Sequence, residues 1–171
     1  MGSSSISSSE MAASTGTWSI TSGGSVANAE ENPMTFYTNM SLPNESWASL
    51  KTANDPCPHG WRVPDGGNNG IWSKALGSSS YFEDASLYDS TNQGMNFSGK
   101  FGSVSIIWYP ASGSRGYYDG GLSNVGFSGH YWSASPNSNN AYLLYFYYRG
   151  NVNLSSNFNR AIGYSVRCLQ E

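Results

Sequence analysis

The chain has 171 residues, enough for one domain with a packed core and too few to require two. Only 11% of them are charged, Lys and Arg number 8 and the formal net charge is −3, so the basic surface that grips phosphate backbones is missing and nucleic-acid binding is disfavoured. Aromatics at 15%, with 6 Trp and 12 Tyr, speak against disorder throughout, while the abundance of Gly, Ser and Asn favours short strands and long loops over helices.

No apolar run approaches membrane-spanning length, so membrane insertion is not expected. Residues 1–31 read as a Ser/Gly-rich leader, flexible over 1–14, with a short strand near 18–20 where Trp18 and Ile20 alternate around Ser19. The start, Met1-Gly-Ser-Ser-Ser, lacks the apolar core of a signal peptide. The domain itself is expected over 32–171. Pro33-Met-Thr-Phe-Tyr37 reads as extended, and Asn44 caps a short helix over 45–51, where Trp47 and Leu50 stand three apart. Three prolines and Gly60 exclude a helix from 55–64. A second short helix is expected over 69–76, with Ile71, Trp72 and Ala75 on one side. Residues 77–100 read as a polar loop, and 104–109 as a strand rich in β-branched and aromatic residues.

Beyond that point strands alternate with Gly/Ser/Asn loops. Over 141–148 a period of two puts Tyr142, Leu144 and Phe146 on one face and Leu143, Tyr145 and Tyr147 on the other. If the first set is core, the second displays two tyrosines and a leucine to solvent, which suits a binding surface. The only cysteines, Cys57 and Cys168, permit a structural bridge, a reactive pair or two unrelated buried thiols.

Four segments carry a family resemblance: Asp55-Pro-Cys-Pro-His-Gly-Trp-Arg-Val-Pro64, Trp108-Tyr-Pro-Ala-Ser-Gly113, Gly129-His-Tyr-Trp-Ser-Ala-Ser135 and Gly163-Tyr-Ser-Val-Arg-Cys168. In this order they resemble the Fibrobacter succinogenes major paralogous domain, over roughly residues 32–171. The resemblance implies an α+β, C-type-lectin/formylglycine-generating-enzyme-like fold of short mixed or antiparallel strands, two short helices and long loops that build a binding face. It implies that Cys57 and Cys168 lie close together, as a candidate disulfide, where the chain's two ends meet. It also implies an extracellular or cell-surface setting, as in surface proteins of gut Bacteroidetes, or a phage tail tip.

Residue usage narrows the resemblance further. Lys100 is the last lysine, and residues 101–169 contain no Lys, Glu, Gln or Met, although Met34, Met40, Glu45, Lys51, Lys74, Glu83, Gln93 and Met95 are scattered before them. Diversity-generating retroelements mutate template adenines, and a varied AAC or AAT codon cannot give Lys, Glu, Gln, Met or Trp. The chain resembles a retroelement variable protein, with a variable region of about 112–164. Its expected ligand-binding positions are Ser114, Gly116, Tyr117, Tyr118, Phe127, Ser128, His130, Leu143, Tyr145, Tyr147, Tyr148, Arg149, Phe158, Ile162 and Tyr164, with Asn137, Asn139, Asn140, Asn157 and Asn159 among them. The larger of these side chains are expected to be exposed on one face, above a core of Tyr131, Trp132, Tyr142, Leu144, Phe146, Val166 and Cys168. Tyr, Ser, Gly and Asn are also what antibody paratopes favour. The expected function is ligand binding to an unknown protein or glycan, as a receptor-binding or adhesin domain. An invariant carbohydrate-binding or structural surface module of the same fold is the alternative.

Catalysis has little to stand on. His59 sits in a turn between Pro58 and Gly60, His130 has no sequence-level partner, and no catalytic residue is assigned. No cofactor is expected either. Asp65-Gly-Gly-Asn-Asn69 and Asp119-Gly120 offer oxygens that calcium could take, but both lack EF-hand spacing and read as turns. Arg62 and Arg167 lie in the scaffold motifs, where structural hydrogen bonding is their expected role.

Overall fold

The computed structural model describes residues 19–23, 26–32, 35–38, 51, 55–76, 80–98 and 107–171. The readings made for residues 1–14, for Trp18, for residues 45–50 of the helix expected over 45–51 with its cap Asn44, and for residues 104–106 lie outside them. Strand β1 (Ser19–Ser22) pairs in parallel with β2 (Thr35–Thr38), and the short helix α1 (Val26–Glu31) lies between them in sequence. The leader read over 1–31 thus carries β1, which overlaps the strand expected near 18–20, and α1. Ser19 to Ser22 find a ladder partner, and Ala27, Ala29, Glu30 and Glu31 are good helix formers.

β3 (Trp61–Arg62) follows the proline-rich turn, and 55–64 holds no helix, as expected. Helix α2 (Ile71–Leu76) buries Trp72 and Ser73, and the Trp72 indole donates to the Tyr109 hydroxyl at 3.0 Å. Ala75, expected on the packed side, is exposed. Trp72 and Leu76, one turn apart, set the inward face, and Ala75 falls off it.

Residues 80–98 correct the expectation of a loop. They form β4 (Tyr81–Glu83), a 3₁₀ turn capped by Asp84, β5 (Tyr88–Asp89) and β6 (Gly94–Asn96). Met95 and Phe97, alternating around Asn96, are fully buried, and this period-two signal sits inside polar composition. β6 pairs on its other side with β7 (Trp108–Pro110). A small hairpin, β8 (Ser114–Arg115) with β9 (Leu122–Ser123), leads into the three long strands: β10 (Ser128–Asn137), β11 (Asn140–Tyr147) and β12 (Asn151–Asn159). These form an antiparallel sheet in the order β10-β11-β12-β4. One face of it, with Tyr131, Leu144, Phe146, Val152 and Leu154, packs on α2 and the β5-β6-β7 sheet as the main core.

The C-terminal strand returns to β3 on another side of the fold. β13 (Leu169–Gln170) pairs antiparallel with β3, and Cys57 and Cys168 form a disulfide with Cα atoms 5.7 Å apart, inside the range of about 4.4–6.8 Å that a bridge needs. Cys57, Val63 and Ala134 bury around it. Lys51 Nζ donates to the carbonyls of Cys57 and Trp61, each at 2.6 Å, and pins the same turn. The architecture is thus predominantly antiparallel β with short helices. Among the described residues, no helix is long and apolar enough to cross a membrane.

Candidate functional site

The second face of the long sheet carries the site. Directly paired residues share a side, so the register lays His130, Tyr145, Asn153 and Tyr81 in one row across β10, β11, β12 and β4. Trp132, Ala141 and Leu143 form a buried floor on this side, and Tyr145, Ile162 and Tyr164 pack against it. The segment after β12 folds back over the floor because Ser165 is tied to β10 on both sides: its N–H donates to His130 O at 3.1 Å, and its carbonyl accepts from Trp132 N at 2.9 Å.

Ring contacts gather expected binding positions into two clusters, one around His130 and one around Tyr148. The His130 ring centroid lies 4.9 Å from Tyr145, 4.5 Å from Tyr164 and 6.5 Å from Phe158. At the other end of β11, Tyr148 meets Tyr147 at 4.6 Å and Phe127 at 5.5 Å, and Arg149 lies over the Tyr148 ring at 5.4 Å. Phe127, Arg149 and Phe158 are exposed; Tyr145, Tyr147, Tyr148, Ile162 and Tyr164 are half-buried. Desolvation raises the phenol pKa of Tyr145, and that of Tyr164 to about 12, so both rings present neutral hydroxyls.

Three expected positions are buried instead. Leu143 is inaccessible, His130 is 7% exposed and Ser128 is 1% exposed. Leu143 lies on the predicted side of the strand, but Tyr164 and Ile162 roof that side, a covering that strand periodicity cannot reveal. Leu143 and Leu144 alternate to opposite faces, and both are buried because both faces of the sheet are covered at this point. Burial lowers the His130 pKa to about 4. Its Nδ1 and the Ser128 hydroxyl have no hydrogen-bond partner among the described residues.

Three residues expected in the core are not fully buried. Tyr142 is half-buried against Gly67, where an added Cβ would come 3.3 Å from its ring. Val166 is 39% exposed, because Ser165 faces β10 and the next side chain alternates outward. Cys168, also expected in the core, is half-buried in the disulfide cluster.

The remaining positions form two outlying groups. Ser114, Gly116, Tyr117 and Tyr118 belong to the β8–β9 hairpin, which touches the patch through the Arg115–Gly163 bridge, and Tyr118 is 73% exposed. Asn137, Asn139, Asn140, Asn157 and Asn159 cluster at the β10–β11 turn, where Asn140 donates to Asn157 at 2.9 Å. Asn157 pairs with Tyr142 and so faces away from the patch.

The expected turn and scaffold roles have visible partners. Asp119 Oδ1 accepts from Gly121 N at 2.8 Å, and Asp65 pairs with Arg62 at 3.0 Å. The Arg167 guanidinium donates to Trp108 O and lies over Tyr109 at 4.6 Å. Among the described residues, no group of three His, Cys, Asp or Glu could hold a metal. No family model, curated protein or solved structure matches the chain.

Tyr81, Glu83, Asn151 and Asn153 were missed. The signal was the alternation in Tyr81-Phe-Glu83, an apolar residue between two outward polar ones, hidden in a stretch read as loop.

Proposed function

We propose that the chain is an extracellular ligand-binding domain of C-type-lectin-like fold, diversified by a retroelement and not an enzyme. The observation that carries the reading is the pair of aromatic clusters, Tyr145, Phe158 and Tyr164 around His130 and Phe127 and Tyr147 around Tyr148, all drawn from the stretch with restricted residue usage. Large rings with few rotatable bonds give contact area at low entropic cost, and the Asn and Ser residues around them supply adaptable hydrogen bonds. The Cys57–Cys168 bridge is compatible with an oxidising compartment, and it ties the two ends of the domain together as the lectin-like reading requires.

Sequencing many genomic copies tests this reading. Copies should differ at the exposed patch positions and keep Trp132, Phe146 and Cys168, beside a template repeat and a reverse-transcriptase gene. Identical copies with neither neighbour overturn diversification. The burial of Ser128, His130 and Leu143 favours the second reading, an invariant carbohydrate-binding or structural surface module, which the same sequencing separates from the first.

A further inference from the structure

We propose that Tyr81, Glu83 and Asn151 form a cation-recognising subsite at the β4 edge of this face, taking an arginine side chain of a protein partner. The inference rests on the face being a binding surface and adds the chemical class of what binds there.

The placement follows from β4. Phe82 packs into the main core opposite Val152, which forces Tyr81 and Glu83 to the outer side, where Tyr81 is 46% exposed and Glu83 is exposed. Tyr81 is in the same cross-strand row as Tyr145, so the subsite continues the aromatic patch. The Tyr81 hydroxyl donates to Glu83 Oε1, and Asn151 Nδ2 donates to the Tyr81 hydroxyl at 2.7 Å and to Glu83 Oε1 at 2.9 Å. Two donors thus hold one carboxylate oxygen. Among the described residues, Oε2 accepts no hydrogen bond and no cation pairs with the carboxylate. A turn locks the geometry: Asp84 N donates to Gly150 O at 2.8 Å, fixing β4 against the start of β12.

The chemistry selects the occupant. An oriented carboxylate beside phenol rings attracts a guanidinium twice over, by a charge-assisted hydrogen bond and through the ring face, and planar arginine can make both contacts. Holding the carboxylate in advance reduces the ordering cost of binding. An anionic ligand meets a like charge on a chain of net charge −3. A neutral one desolvates the carboxylate without a counter-charge.

Nuclear magnetic resonance with N-acetyl-arginine methylamide tests the subsite, with the uncharged citrulline analogue and lactose as controls. The arginine probe should shift the Asn151 side-chain amide and the β4 backbone amides, with half-saturation on the order of tens of millimolar and severalfold weaker binding in 0.5 M salt. Glu83→Gln should weaken it about fivefold or more and leave Tm unchanged, since the side chain is exposed. Equal shifts with citrulline, equal binding by Glu83→Gln, or shifts with lactose in place of arginine overturn the subsite. If the probe fails while genomic copies vary, the face remains a binding face without this anchor. If it binds and the copies are identical, the anchor belongs to an invariant module.

Discussion

The imidazole of His130 lies flat against the ring of Tyr164, with centroids 4.5 Å apart and 5° between planes. Burial holds its pKa near 4, outweighing a hydrogen bond to the Gly113 backbone that acts in the other direction, whereas the unfolded chain takes up this proton near pH 6.5. The neighbouring Tyr145 and Tyr164 have raised pKa values and stay neutral throughout this window. Above pH 6.5 both states are neutral and the group is silent. As pH falls from 6.5 towards 4 the unfolded state protonates first, and stability drops by up to about 1.4 kcal/mol per pH unit. Below about pH 4 the loss is complete. Asp89, with its lowered carboxyl pKa, acts only at lower pH still. Urea unfolding at pH 7 and pH 4.5 should show a drop in wild type that is largely absent in His130→Phe. Equal drops in the two proteins would assign the pH dependence to other groups.

The Cys57–Cys168 bridge closes a sequence separation of 111 residues. Crosslinks over long loops restrict the unfolded chain strongly, so replacing both cysteines by Ala should cost about 2–5 kcal/mol. Thermal unfolding with and without reductant gives the same comparison. A reduced protein with unchanged Tm would mean that the β3–β13 ladder alone holds the ends together.

Gly150 has φ +90°, and a Cβ there would approach the backbone of Ala85 at 2.3 Å. Both the backbone conformation and the close contact oppose a side chain, so Gly150→Ala should cost about 1–3 kcal/mol. It should also separate Glu83 from Asn151. Chemical shifts of the Asn151 side-chain amide report the second effect independently of stability, and an unmoved resonance would show that the turn does not position them.

Much of this molecule was legible where one strong local signal acts alone. The prolines around Cys57 exclude a helix, and Trp72 anchors one in α2. The alternation of Leu144, Phe146, Tyr145 and Tyr147 gave the correct faces. What failed depended on distant residues. His130 and Leu143 are covered by Tyr164 and Ile162, which the chain brings back only after β12. The strands within 80–98 were masked by short length and polar composition, and Tyr81 and Glu83 went unseen with them. Val166 lies outside any long ladder, so no periodicity could assign its side.

Trp132 and the pair Tyr145 and Tyr147 occupy the same face at different depths, and this difference separates stability from binding. Trp132 is 5% exposed, lies on the floor with Ala141 and Leu143, and contacts the Tyr164 ring at 4.7 Å. Truncating it leaves a large cavity, so Trp132→Ala should cost about 3–5 kcal/mol and lower Tm by many degrees. Tyr145 and Tyr147 are half-buried, with their outer edges towards solvent. Tyr147→Ala loses little packing, while Tyr145→Ala also gives up the ring contact with His130 at 4.9 Å, so the double variant should cost about 1–2 kcal/mol. Its effect on binding should run the other way: ring contact supplies the largest area on the patch, and losing both tyrosines should abolish capture of a ligand selected on the wild-type domain. Measuring Tm and affinity for both variants separates the two roles. A double tyrosine variant that unfolds as readily as Trp132→Ala would make these rings part of the core and remove the patch as a binding face.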